Sequence, residues 1–292
     1  MPTLRDIRRR IRSVQSTQKI TRAMKLVAAA KLRRAQDRIL AARPYASKMG
    51  ELLGHLAAAT REDGAGHPLL VRREGPRRQI VVITADRGLA GAFNANVIRR
   101  ALELIRASHQ PDVTLVAVGR KGRDFYRRRR QWPIRREMVG FWERLAYDHA
   151  RELADFLMQQ YLQGEVDEVY LVYNEFRSVA VQRPVCERLL PLPAAAGGDG
   201  AAVHYLYEPG PEAILADLLP RHVRTQVYRA LMESLAGEYG ARMTAMEAAT
   251  KNASEMIEVL TIQYNKARQE RITKELLDIV GGAEALRQGA EA

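Results

Sequence analysis

Cysteine is all but missing: the 292-residue chain has one, Cys186. A single thiol cannot close an intrachain disulfide, and it leaves no cysteine-based metal site. It lies in a strand-like run between Val185 and Glu187, which reads as a buried, inert thiol rather than a nucleophile. Aromatic residues are scarce too, at 6% beside 47% hydrophobic. A core must then be built from Ala, Leu, Ile, Val and Met, which suit helix–helix contact. No apolar run approaches the roughly 20 residues that span a bilayer. The opening MPTLRDIRRR also lacks the apolar stretch of a signal peptide. The chain is therefore expected to be cytosolic, with any membrane link indirect. Patterns of the types GxxxxGK[ST], GxSxG and GxGxxG are absent. The histidines are His55, His67, His109, His149, His204 and His222. None stands three to five residues from another, so no local metal pair is expected. No catalytic residue, metal ligand or cofactor emerges.

Glycine and proline are missing from both ends, across residues 3–43 and 241–280. Runs of about 40 helix-compatible residues would each extend about 60 Å. Apolar and small residues recur at Leu4, Ile7, Ile11, Val14, Gln18, Thr21, Lys25, Ala28, Leu32, Ala35 and Ile39. The spacing alternates three and four. That is a heptad seam with a polar section at Gln18, Thr21 and Lys25. Met243, Met246, Thr250, Ala253, Ile257, Leu260, Tyr264 and Ala267 repeat the pattern, which then slips by one to Ile272, Leu276, Ile279 and Ala283. A narrow stripe wants one partner helix rather than a globular core. The two ends are therefore expected to pair as an antiparallel coiled coil. The alternative is two separate helices packed on a central domain. Pro44 is expected to kink or interrupt the first helix, with helical periodicity resuming to about residue 59.

The middle reads as α/β. QIVVIT (79–84), VTLVAV (113–118) and VYLVY (169–173) are strand-like, and residues 178–190 can pair with the last of them. Residues 94–107 and 147–163 are helix-like, so the sheet should be mostly parallel with helical crossovers. DRGLAG (86–91) reads as a turn, the alternative being a phosphate loop at Gly88 and Gly91. Loops are expected at 61–68, 73–78 and 191–200. The last helix should begin near Pro211. Gly237 and Gly240 lie inside it, at about 1 kcal/mol each relative to Ala. Either another backbone approaches there or the helix is soft. The expected organisation is an N-terminal helix over 1–60, a Rossmann-like α/β domain over 78–190 and a C-terminal helix over 210–286.

Charge is uneven. The net is +13, but residues 1–43 carry 13 basic side chains against Asp6 and Asp37, while residues 241–292 carry 7 basic and 8 acidic. A basic end suggests an acidic partner: nucleic acid, an anionic membrane or an acidic protein. Arg127–Arg130, with Arg135 and Arg136, is interleaved with Phe125, Tyr126 and Trp132. Nucleic-acid binders can look like this, although a solvated loop is the commoner meaning.

Several segments together resemble the gamma subunit of F-type ATP synthases. They are STQKITRAMKLVAAAKLRRAQ (16–36), ITADRGLAGAFN (83–94), HYLYEP (204–209), ARMTAMEAATKNASEMI (241–257) and LTIQYNKARQERITKELLDIVGGAEAL (260–286). The resemblance implies an α/β fold with an antiparallel coiled coil of the termini and a Rossmann-like domain that binds no nucleotide. It implies a non-catalytic, rotating central stalk that couples proton flow through a membrane ring to ATP synthesis or hydrolysis, and that regulates ATPase activity. The implied partners are the alpha and beta subunits, the epsilon subunit and the membrane c-ring. Acidic helix–turn–helix levers on the beta subunits would account for the basic end. Met24 and Lys25 match the family's position beside those levers, and Arg268 and Gln269 its contact with a beta-subunit loop. Tyr205, Tyr207 and Glu208 match the foot on the rotor ring. Simple helix packing for Met24 and strand core for Tyr205 and Tyr207 remain open. Ala85 and Ala90 stand where relatives often have Ser and Cys, and Gly237 and Gly240 where Ser or Ala is usual. The cysteine-pair insert of chloroplast forms is absent. The implied location is the cytoplasmic side of a bacterial cell membrane, as a peripheral subunit. Two other functions compete: a basic nucleic-acid-binding or scaffold protein, and a Rossmann-type enzyme with nucleotide near Gly88 and Gly91.

Overall fold

A computed structural model describes residues 3–62, 67–73, 75–107, 112–192 and 210–290. The elements run α1 (Leu4–Glu62), β1 (Arg77–Ile83), α2 (Phe93–Ala107), β2 (Asp112–Val118), α3 (Arg120–Arg129) and β3 (Ile134–Met138). A short 3₁₀ turn (Trp142–Arg144) leads to α4 (Tyr147–Leu162), β4 (Glu168–Phe176), β5 (Gln182–Leu190) and α5 (Pro211–Ala290). The chain divides into two compact units, Met1–Val27 with Ala245–Ala292, and Ala28–Thr244.

The larger unit holds a five-stranded sheet in the order β3-β2-β1-β4-β5. The first four strands are parallel and β5 runs antiparallel to β4. β1 and β2 are apolar on both faces because helices cover both. On one face Val81, Ile83, Val116, Val118, Leu171 and Tyr173 pack with α4, with Leu32 and Ala35 of α1, and with the α5 residues between Leu215 and Tyr239. On the other, Ile80, Val82, Val113, Leu115 and Val172 pack with α2 and α3.

Differences from the sequence expectations have local causes. β1 begins at Arg77 rather than Gln79, because charge extends the pairing past the apolar run. Arg77 makes two side-chain hydrogen bonds to Asp167, at 3.1 and 2.8 Å, and Arg78 reaches Glu168 at 2.6 Å. The arginine run is not a loop. It closes α3, Arg130 forms its left-handed C-cap at φ 50°, and β3 follows. Arg127 grips Glu137 through two bonds of 2.6 Å, and Arg136 pairs with Glu152. α3 escapes sequence inspection because it is mostly charged and buries only Gly122 and Tyr126. Pro44 does not interrupt α1, which is assigned as helix through to Glu62. A proline lacks one donor, so it removes one rung of the ladder. Pro220 is likewise inside α5.

Candidate functional site

In the smaller unit, α1 and α5 pair along the expected seams. Every expected position from Leu4 to Lys25 on α1, and from Met246 to Ala267 on α5, is buried or half-buried. Ile7, Thr21, Met246 and Ala253 are the most deeply covered. Direction follows from the polar contacts. Arg8 donates to the Tyr264 hydroxyl, Gln18 Nε2 to Ser254 Oγ at 2.7 Å, and the Thr21 and Thr250 hydroxyls meet at 2.7 Å. Lys25 Nζ lies 2.5 Å from Glu247 Oε1. As α1 advances α5 recedes, so the pair is antiparallel. The polar section that breaks the α1 seam is matched residue for residue by polar groups on α5. Such matching favours one register, because a slipped pairing would set these polar groups against apolar neighbours.

Met24 and Lys25 sit at the end of this section. Met24 is half-buried and Lys25 is held by Glu247. Near them Ile20, Leu26 and Val27 on α1 are exposed apolar residues, and Met256, Val259 and Ile262 are exposed further along α5. Sequence inspection passed over them, although the signal was present: Leu26 and Val27 are apolar between two seam positions. Arg268 and Gln269 are both exposed. They lie about 30 Å along α5 from Glu247, at 1.5 Å per residue, so they form a separate station from Lys25. From Arg268 to Ala283 every residue is exposed, including Ile272, Leu276, Ile279 and Val280. The slip in the seam therefore falls where the pairing stops. It marks the point where α1, beginning at Leu4, runs out. Tyr205, Tyr207 and Glu208 lie outside the described residues.

In the larger unit, strand order reverses between β1 and β4. Open α/β sheets hold ligands beyond the strand ends at such a place. Here α5 fills it. A Cβ on Gly237 would stand 3.2 Å from Phe93 Cε2, 3.5 Å from Gln182 Cγ and 3.7 Å from Asn174 Cβ. One on Gly240 would stand 3.3 Å from Gln182 Nε2 and 3.5 Å from Phe176 Cε2. The two glycines thus answer close approach by side chains of α2, β4 and β5, not a need for softness.

Three backbone amides nearby are taken. Asp86 accepts from Arg120 N at 2.8 Å and from Gly140 N at 2.7 Å. Thr84 Oγ1 accepts from Gly122 N at 2.8 Å. Gly119, at φ 93°, lets the chain pass the Thr84 carbonyl, which a Cβ would strike at 1.9 Å. A cavity of about 250 Å³ beside Asp86 is lined by Lys31, Arg87, Arg120 and Arg242 and by the carboxylates of Asp86, Glu143 and Glu238. Arg242 pairs with Glu238 at 2.6 Å and donates to the Gly88 carbonyl at 3.2 Å, and Arg87 pairs with Glu143 at 3.1 Å. Burial raises the Glu238 carboxyl above its ordinary range, against the pull of Arg242. Burial pushes the Cys186 thiol up to about 11, which fits an inert role. Among the described residues no group of His, Cys, Asp and Glu could hold a metal ion.

The class is set by a long antiparallel coiled coil and an α/β unit whose crevice at the strand-order reversal holds its own helix. Residues 3–286 match the ATP synthase family model. The chain is 55% identical over 291 residues to the ATP synthase gamma chain of Anaeromyxobacter sp. (strain Fw109-5), covering 98% of this chain and all of that one. It is 50% identical over 287 residues to that of Pelotomaculum thermopropionicum, with the same coverage. In fold it is similar to a chain of the Euglena gracilis mitochondrial ATP synthase in an OSCP/F1/c-ring structure. The TM-score there is 0.69 and identity 21%, over 99% of this chain and 96% of that one. A chain of the Tetrahymena thermophila central stalk and c-ring gives a TM-score of 0.60 at 24% identity, over 79% of this chain and 99% of that one. The chain belongs to the ATP synthase gamma chain family.

Proposed function

We propose that this chain is the rotating central stalk of a proton-translocating F-type ATP synthase. The observation that carries the reading is the antiparallel pairing of α1 with α5, registered by Gln18–Ser254, Thr21–Thr250 and Lys25–Glu247. A paired spindle transmits torque, and its outer surface differs on every side. The alpha and beta subunits of the head would meet those sides in turn, and differential contact would shift each beta subunit between its conformations. Lys25, Met24 and the exposed Ile20, Leu26 and Val27 are the surface for the acidic beta levers. Exposed charge pairs are individually weak, which suits contacts that must break at every step. Arg268 and Gln269 are the second station, for a beta-subunit loop, and the apolar end beyond them packs against the head. The epsilon subunit and the c-ring are the partners at the foot, through Tyr205, Tyr207 and Glu208. No helix among the described residues is long and apolar enough to cross a membrane. The proposed location is the cytoplasmic face of a bacterial membrane, reached through the c-ring, with regulation of ATPase activity exerted through the same contacts.

The test is reconstitution with alpha and beta subunits of a bacterial enzyme. A stoichiometric complex with ATPase activity is expected, and proton pumping in membranes should depend on this chain. Absence of a complex, or saturable nucleotide binding by the isolated chain near Gly88 and Gly91, would overturn the reading.

A further inference from the structure

The face of the sheet that carries α2 and α3 has a groove of about 820 Å³ between those helices. Its floor is apolar: Ile98 and Leu102, one turn apart on α2, and Phe125 on α3, all half-buried. Its rim is cationic. Arg99 and Arg106 stand on α2, and Lys121, Arg128 and Arg129 on α3, all exposed. Two carboxylates also line it, but cations outside the groove already hold them. Glu103 lies 3.2 Å from Arg100, and Asp124 lies 2.7 Å from Arg123. Among the described residues none of the five rim cations has a carboxylate partner.

We infer that this groove docks an acidic amphipathic helix of a partner protein. Its apolar stripe lies on Ile98, Leu102 and Phe125, and its Glu and Asp side chains meet the rim cations. The stretch from Ala95 to Arg106 gives the floor about 16 Å, matching three turns of an incoming helix. Helix-in-groove recognition lays the apolar face of an amphipathic helix on such a floor, and the charged rim adds complementarity. Charge decides between occupants. A second copy of the same face would bring five cations against five, which repels. Single-stranded nucleic acid needs free ring faces for stacking. The groove's one aromatic, Phe125, has the Arg129 guanidinium 4.4 Å over its ring and the Tyr126 edge 5.1 Å away. A lipid surface takes up protruding apolar residues, whereas these are recessed below the rim. Within the larger unit α1 and α5 pack on the opposite face of the sheet, and the inference does not depend on the stalk reading.

Fluorescence anisotropy on the full chain tests it. The probes are a labelled synthetic helix of about five turns with leucines on one face flanked by glutamates, the same helix flanked by lysines, short single-stranded DNA, and phosphatidylserine vesicles. The glutamate helix should bind, weaken with added salt, and protect α2 and α3 amides from hydrogen exchange. The triple variant R106E/R128E/R129E should lose at least about tenfold in affinity, and Leu102→Ser should weaken binding while leaving helix content unchanged. Equal binding of the two helices, native affinity in both variants, or tighter binding of DNA or vesicles at these residues would overturn the proposal.

Discussion

At the scale of the residue, single side chains set the pairing of strands and the seating of helices. The side chain of Asp167 is almost wholly covered and accepts three hydrogen bonds from Arg77, one from its backbone. The Arg77 guanidinium and these bonds hold its carboxyl below the usual range. Its unfolded value is about 3.9. A carboxyl depressed on folding adds stability above that value and loses it as the pH falls through the folded value. Asp167→Ala should therefore cost about 1–3 kcal/mol in urea unfolding at neutral pH, with the gap to the native chain closing in acid. Gly237 is the opposite case, a place where atoms are not wanted. Alanine would gain helix propensity against a 3.2 Å contact with Phe93. Leucine has nowhere to go. Gly237→Leu should lower the unfolding free energy by about 1–3 kcal/mol, read from the shift in urea midpoint at constant slope.

At the scale of the element, the coiled coil offers a test of register. Thr21 and Thr250 face each other with hydroxyls 2.7 Å apart. The pair T21C/T250C should close a disulfide readily under mild oxidation, while T21C with I272C should not, as judged by non-reducing electrophoresis. The native Cys186, half-buried and hard to ionise, should not interfere. This element was the most legible part of the sequence. Three–four spacing from Leu4 to Ile39 and from Met243 to Ala267 depends only on local geometry, and burial follows it position by position. Partner choice was less legible. That Gln18 answers Ser254, or that the seam ends where α1 ends, depends on residues more than 200 positions away. The sheet divides the same way. β1, β2 and β4 stand out because both faces are buried, whereas β3, an edge strand with Arg135 and Arg136, carries too little apolar signal. Met24, Lys25, Arg268 and Gln269 are proposed as site residues through likeness to a family. Their geometry, one station beside a polar lock and another beyond the end of α1, was not readable from spacing.

At the scale of the whole molecule, the expected outcomes concern coupling. Removing the residues from Ala267 onward takes away the exposed apolar end of α5 but none of the four polar contacts to α1. Complex assembly should survive this truncation while torque, measured by single-molecule rotation, falls. Torque equal to full length would count against a bearing role for that end. Replacing Arg268 and Gln269 together with alanine should leave ATP hydrolysis running and reduce ATP-driven proton pumping in vesicles. The α/β unit carries its own consequence through Asp86, whose carboxylate bridges Arg120 N and Gly140 N. A tethered group competes as though present at millimolar concentration or above, however dilute the protein. Any free oxyanion must displace that resident acid before it can reach these two amides. At these two amides ATP, ADP and phosphate meet an occupied site, so this corner of the α/β unit is expected to be indifferent to their levels.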